Sequence, residues 1–378
     1  MAVIELIKGK KYKIEILLGY DEFHKKLRQY ETFYGNKTEA KEREQELKKS
    51  LKNGIMITGN NMTFQELSNK WLELHVSNLA PKTQEEYKAQ LKDINKEIGN
   101  LKLSKITPLV LEQFYNKLRN DKKRNLTENT ILHYYAVING IYNKAKKWRL
   151  VESNPNSYTE RPKKEKIERE YYQLEEVQTL LSCTSNECIK YQAIINLAVD
   201  SGAREGELTG LNWSDIDFEK KTISINKVTQ VVNGKIIEKN KPKNNSSIRT
   251  ISLMDKTVEI LKKLKQEQEE QKKMLGNKWV ESGKVFIKEN GDLIYPSTPS
   301  KIYKKICKKY NIKVLRFHDL RHTSATLQNA VNIPMKAISK RLGHSSAIIT
   351  DTIYSHVFTT TDKEITNKVS ELLYTEKR

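Results

Sequence analysis

Tyr354 lies among Thr, Ser and His residues at the end of a stretch, 316–356, that holds four of the chain's seven histidines. The same stretch carries Arg316, Arg321 and Arg341. A packed helical hairpin needs no such mixture. A phenol set among histidines and arginines could attack a phosphodiester whose charge the cations hold. His318 and Arg321 are three apart, one helical turn, and would share a face. Leu342-Gly343-His344 puts a histidine just beyond a helix end, where glycine takes the turn conformation. Each histidine taken singly fits a satisfied structural group equally well; the joint pattern is what points to chemistry.

Two further islands are unlike structural filler. In the first, 201–208, Arg204 follows a small-residue turn at a helix start, with Glu207 three residues later. Such a glutamate can hold a guanidinium from one side and leave its fork for a phosphate. Alone the pair is weak, since Arg/Glu pairs on a surface are common. The second, 241–249, is a polar hairpin tip leading into a strand. A lysine there, Lys243 or Lys241, could approach a leaving oxygen through the minor groove. Taken alone, a solvated Lys-rich turn is the plainer reading.

Together, Arg204 with Glu207, a hairpin lysine, His318-x-x-Arg321, Leu342-Gly343-His344 and Tyr354-Ser355-His356 resemble the signature set of the tyrosine recombinases, the integrase family of phages and integrative elements. The resemblance implies DNA strand transfer through a 3′-phosphotyrosine, with no cofactor and no metal. It implies that Arg204 and Arg321 clamp the nonbridging oxygens and that His344 adds a third donor. His318 is the best-placed base for Tyr354, whose phenol has an ordinary pKa of about 10. Lys243 would protonate the leaving 5′ oxygen, with Lys241 the runner-up because hairpin register is not fixed by sequence. His322 and His356 are read as supporting groups, and Tyr374 as a poor nucleophile candidate. A type IB topoisomerase, a chromosome-dimer-resolving recombinase and a non-catalytic DNA-binding relative are the competing readings.

The elements that must position these residues read as a multidomain chain, mainly α with small antiparallel β-sheets. Residues 1–55 show three alternating segments, at 3–7, 12–16 and 26–33, then a charged helix over 37–52 with Thr38 as its cap. This resembles a small arm-site-binding module. Lys11, Lys13 and Arg28, beside Tyr30, make its open face a candidate for a DNA groove. An ordinary small sheet with a solvated face fits those residues as well. Residues 54–61 read as a linker. Residues 62–156 read as about four helices, from a Thr63-x-x-Glu66 cap, 83–98, Thr107-Pro108 and 127–148. This unit is similar to the family's core-site-binding domain. Basic residues recur at its helix ends: Lys82, Lys122, Lys123, Arg124, Lys146 and Lys147. Residues 157–170, from a charge-alternating run that begins at 156, read as an exposed linker. Residues 171–378 form the expected catalytic domain. Its Asn233-Gly234 pair is a strong hairpin turn, 248–253 and 284–287 read as strands, and 319–345 reads as helical throughout. A last helix, 362–374, has an apolar stripe suited to a neighbouring subunit.

Formal net charge is +21, from 68 Lys and Arg against 47 Asp and Glu. The excess is spread along the chain, which suits a long surface following a polyanion, here double-stranded DNA. Sparse cysteines (Cys183, Cys188, Cys307) form no CxxC pair, which suits a reducing cytoplasm. No apolar run approaches the ~20 residues of a membrane span, and the first twenty residues alternate and do not form an export signal. The resemblance further implies a C-shaped clamp on the duplex, a homotetramer on paired core and arm sites, and an accessory DNA-bending or excision factor.

Overall fold

The computed structural model describes residues 2–20, 26–52, 62–165, 170–239, 248–331 and 333–343. Lys241, Lys243, His344, Tyr354, the 54–61 linker and the 362–374 helix lie outside them. The chain divides into two compact units, residues 1–166 and 167–378.

The first unit opens with β1 (Ala2–Ile7), β2 (Lys11–Tyr20) and β3 (Lys26–Tyr34), an antiparallel sheet in that order. Period-two alternation turns Tyr12, Ile14 and Ile16 inward. Ile14 and Ile16 meet Leu47 of α1 (Lys37–Lys52), which covers one sheet face. The cap of α1 is Asn36, not Thr38. Asn36 Oδ1 accepts from the Thr38 and Glu39 amides at 3.0 and 2.9 Å, and Glu39 returns a carboxylate to the Asn36 amide. Asn36 stands one residue outside the helix, where a side-chain oxygen can reach the free first-turn amides, whereas Thr38 lies inside the first turn.

Four helices follow: α2 (Phe64–Leu74), α3 (Pro81–Ile98), α4 (Pro108–Arg119) and α5 (Glu128–Lys147). Thr63 and Glu66 close the expected capping box, and Thr107 and Thr127 cap α4 and α5. Phe64, Trp71, Leu111, Tyr115, Ile138 and Tyr142 fill one core. The expected exposed linker starts later than the charge pattern suggests. Asn156 and Thr159 are buried. Tyr115 donates to Asn156 Oδ1 at 2.5 Å, and Asn154 bonds Asn139 and Asn143 of α5. The run of polar residues there is an internal hydrogen-bond network, which a polarity pattern cannot separate from a solvated loop.

The second unit packs α6 (Leu174–Thr184), α7 (Ile189–Ser201) and α8 (Glu205–Gly210) with two small sheets. One sheet joins β4 (Ile216–Asp217), β5 (Thr222–Ile225) and β8 (Arg249–Ser252), all antiparallel. The other is the hairpin β6 (Val228–Val232) and β7 (Lys235–Lys239), turned at Asn233-Gly234 as expected, both at positive φ. Residues 284–287 form isolated bridges instead of the expected strand. Then come α9 (Asp255–Leu275), α10 (Thr298–Lys309), α11 (Asp319–Ala330) and α12 (Met335–Leu342). The described part of the 319–345 stretch, which ends at Gly343, therefore holds two helices. Pro334 stands at the cap of α12, where its missing N–H and fixed φ start a helix instead of continuing one. Gly343 ends α12 in the left-handed conformation.

Candidate active site

Arg204 caps α8. Its amide donates to Glu207 Oε2 at 2.9 Å and its Nη1 to Glu207 Oε1 at 2.8 Å. Its side chain stays 39% exposed while that of Glu207 is 1% exposed. The guanidinium is thus fixed at one edge and open at the other, the arrangement expected from the spacing.

Arg321 lies in the first turn of α11 and is buried. Its Nη1 donates to the Gly202 carbonyl at 2.7 Å and its Nη2 to the Leu342 carbonyl at 2.5 Å. Arg204 Nη2 reaches the next carbonyl, that of Gly343, at 3.4 Å. Two arginines far apart in sequence therefore converge on one helix end. Helix C-termini carry partial negative charge, which holds guanidinium groups there without a carboxylate for each.

A third arginine completes the cluster. Arg249 Nη2 and Nη1 donate to Glu207 Oε2 and Oε1 at 2.8 and 3.3 Å, and its Nε to the Arg341 carbonyl at 2.7 Å. Arg249, Arg321 and Arg204 thus cap the consecutive carbonyls of Arg341, Leu342 and Gly343. Burial pushes the Glu207 carboxyl up, but the bonds and charge of Arg249, then of Arg204, outweigh it and hold it below the usual carboxylate range. The sequence reading gave Arg249 no role. Its signal was its phase: it stands two and four residues before the buried Ile251 and Leu253, on the same face, so β8 points a charge inward.

His318 is the exposed residue at the start of α11, and its ring lies edge-on to that of the buried His322, centroids 5.5 Å apart. One turn apart, His318 is exposed and Arg321 buried. Of the expected catalytic set, the described residues bring together Arg204, Glu207 and Arg321. Among those residues, no group of three His, Cys, Asp or Glu side chains could hold a metal ion. No helix among them is long and apolar enough to cross a membrane.

The expected DNA contacts differ in how open they are. On the uncovered sheet face, Lys13 Nζ sits 3.8 Å from the Tyr30 ring centre and Lys11 Nζ 5.3 Å from that of Tyr34. Arg28 pairs with Glu15 at 2.9 Å. Lys82 pairs with Glu85. Lys122, Lys123, Lys146 and Lys147 are exposed. Arg124 is held by both Asp121 and Asp93 at 2.7 Å, so part of its fork is already used. A further basic face, outside the expected set, is that of α10, with Lys301, Lys304, Lys305 and Lys308 exposed.

Comparison with known proteins agrees with this architecture. The Phage integrase family profile matches residues 170–361, and that for the phage integrase N-terminal SAM-like domain matches 63–119. A "Tyrosine recombinase XerC-like" protein of Caldanaerobacter subterraneus subsp. tengcongensis is 31% identical over 387 residues, 96% of this chain and 95% of that one. The integrase of Staphylococcus phage L54a is 30% identical over 359 residues, 88% of this chain and 99% of that one. Among solved structures, the Tn1549 transposon integrase in complex with circular intermediate DNA superposes with TM-score 0.68 at 18% identity, covering 82% of this chain and all of that one, 100%. The lambda integrase tetramer bound to a Holliday junction gives 0.57 at 19% identity, covering 91% and 96%. The chain belongs to the phage integrase family of tyrosine recombinases.

Proposed function

We propose that the protein cleaves and rejoins DNA at specific sites through a 3′-phosphotyrosine, integrating and excising a mobile element from the cytoplasm of its host. The observation that carries this is the convergence of Arg204 and Arg321 on the turn at Leu342 and Gly343. Their fixed positive charge suits a pentacoordinate phosphorane-like state, and fixed donors cost no reorganisation as charge develops.

In this mechanism the Tyr354 oxygen attacks the scissile phosphorus in line, and its proton passes to His318. The new P–O bond forms as the bond to the 5′ oxygen breaks. That oxygen takes a proton from the hairpin lysine, Lys243 or Lys241. Arg204 and Arg321 hold the nonbridging oxygens, with His344 a third donor and Glu207 fixing Arg204. Rejoining is the reverse attack by a 5′ hydroxyl of the other duplex. The phosphotyrosine conserves the bond energy, so the sequence needs no nucleotide.

Residues 1–55 act as an arm-site module, 62–156 as the core-site module and 171–378 as the catalytic domain, 157–170 being the linker. The relatives from a phage and a transposon favour a mobile element, and the tetramer assembled by lambda integrase favours a homotetramer on paired duplexes. The 362–374 helix is the donor to a neighbouring subunit, and an accessory DNA-bending factor would serve excision.

The test is a nicked suicide duplex carrying a core site, sought as a direct repeat on either side of the gene. Wild type should trap a covalent adduct on one such duplex, and Tyr354→Phe none. No adduct with wild type, or an adduct with Tyr354→Phe, overturns the assignment. Relaxation of any supercoiled plasmid regardless of sequence would favour a topoisomerase.

A further inference from the structure

We propose that Arg249 is a positioning residue for strand transfer: it fixes Glu207, and through it the fork of Arg204, while tying the end of α12 to the same point. The inference rests on the transfer reaction proposed above.

Both oxygens of Glu207 are shared. Oε1 accepts from Arg204 Nη1 and Arg249 Nη1; Oε2 accepts from the Arg204 amide and Arg249 Nη2. The Arg249 side chain is 5% exposed against 39% for Arg204. Arg249 is therefore the buried anchor of the carboxylate, and Arg204 is the partner with an edge left to face a ligand. A carboxylate held by Arg204 alone could rotate and draw both guanidinium nitrogens inward, taking them from the phosphate. Arg249 prevents this by occupying the second side of the carboxylate. Its Nε bond to the Arg341 carbonyl adds a second link, so the clamp and the helix end that precedes Gly343 move as one body. A lysine keeps the charge but has no fork, and cannot bridge both carboxylate oxygens and a carbonyl.

The experiment uses the full chain and two versions of the suicide duplex. One has an ordinary scissile phosphate, and the other a methylphosphonate, which removes the negative charge of one nonbridging oxygen. On the phosphate, Arg249→Gln should slow adduct formation about 100-fold, the scale of a misplaced catalytic group, without weakening duplex binding. On the methylphosphonate, the ratio of wild-type to variant rates should shrink toward one, because the charge that the clamp serves has gone. Arg249→Lys should stay slow, although it retains charge and volume. It also serves as the working variant if Arg249→Gln does not fold. Equal rates for wild type and Arg249→Lys on the phosphate overturn the inference. So does the same ratio on both substrates, which would mark Arg249 as a general structural support. Those outcomes leave the transfer reaction standing. No adduct from wild type would overturn the reaction itself, and this inference with it.

Discussion

Arg321 donates through Nη1 to the carbonyl of Gly202 at 2.7 Å, across 119 residues of sequence. The buried arginine of α11 therefore holds the turn from which Arg204 is launched, while its other nitrogen holds the Leu342 carbonyl. Arg321→Lys can satisfy one of these carbonyls, not both. Leaving one buried acceptor unpaired costs about 1–3 kcal/mol. Faster hydrogen exchange in α11 and α12 should report that loss. Adduct formation on the suicide duplex should fall about 100- to 1,000-fold, as for a lost oxyanion donor. An unchanged cleavage rate would remove Arg321 from the phosphate clamp.

Glu207 gives the fold an acid limb. Its folded pKa lies below the ordinary 4.5, because Arg249 and Arg204 outweigh the cost of burial. A depressed carboxylate contributes stability that is fully present above pH 4.5 and is lost as pH falls through the folded value. Glu207→Gln should therefore lower stability at neutral pH by about 3–5 kcal/mol, since the buried Arg249 loses its counter-charge. It should also flatten the decline below pH 4.5 seen in the wild type. Urea unfolding at a series of pH values measures both. Parallel wild-type and variant curves would show that the carboxylate does not titrate with folding.

Two glycines at almost the same φ separate backbone strain from crowding. Gly343 is at +69° and Gly234 at +74°. A Cβ on Gly234 meets nothing within 4 Å, whereas one on Gly343 would meet Arg249 Nη1 at 2.9 Å and its Cδ at 3.2 Å. Gly234→Ala should cost only the left-handed penalty of about 1–2 kcal/mol. Gly343→Ala should cost more and should also slow cleavage, because Arg249 must shift from Glu207. Equal thermal shifts with full cleavage in both variants would contradict this placement of Arg249.

Much of this was legible in the sequence because the rules involved are local. Thr63 with Glu66 announced a capping box, Asn233-Gly234 a hairpin, and Arg204 with Glu207 a guanidinium held from one side. The Asn36 cap was local too, since its bonds close within three residues. The rest of what escaped depends on long-range neighbours. Asn156 and Thr159 looked solvated because Asn156 finds its partners, Tyr115 and Tyr135, in α4 and α5, and Thr159 bonds back to Asn156. Arg249 was hidden for the same reason: its carboxylate is 42 residues away. The break between α11 and α12 was legible at Pro334 and was passed over in favour of the helical pattern on either side.

The uncovered sheet face of the first unit offers a test that needs no knowledge of target sequence. Lys13 Nζ stands 3.8 Å from the centre of the Tyr30 ring, a desolvating contact that holds the ammonium on the sheet surface. If this face follows a DNA backbone, Lys13→Ala should weaken binding of the full chain to an arbitrary duplex. It should also reduce the slope of log affinity against log salt by about 0.9, one released counterion. Arg28→Ala should change the slope less, because Glu15 already neutralises that guanidinium at 2.9 Å. Tyr30→Ala should mimic part of the Lys13 loss without removing a charge, by freeing the lysine into solvent. Salt-dependent anisotropy titrations measure all three. Identical slopes for wild type and Lys13→Ala would leave this face as a solvated sheet surface and move the arm contact elsewhere.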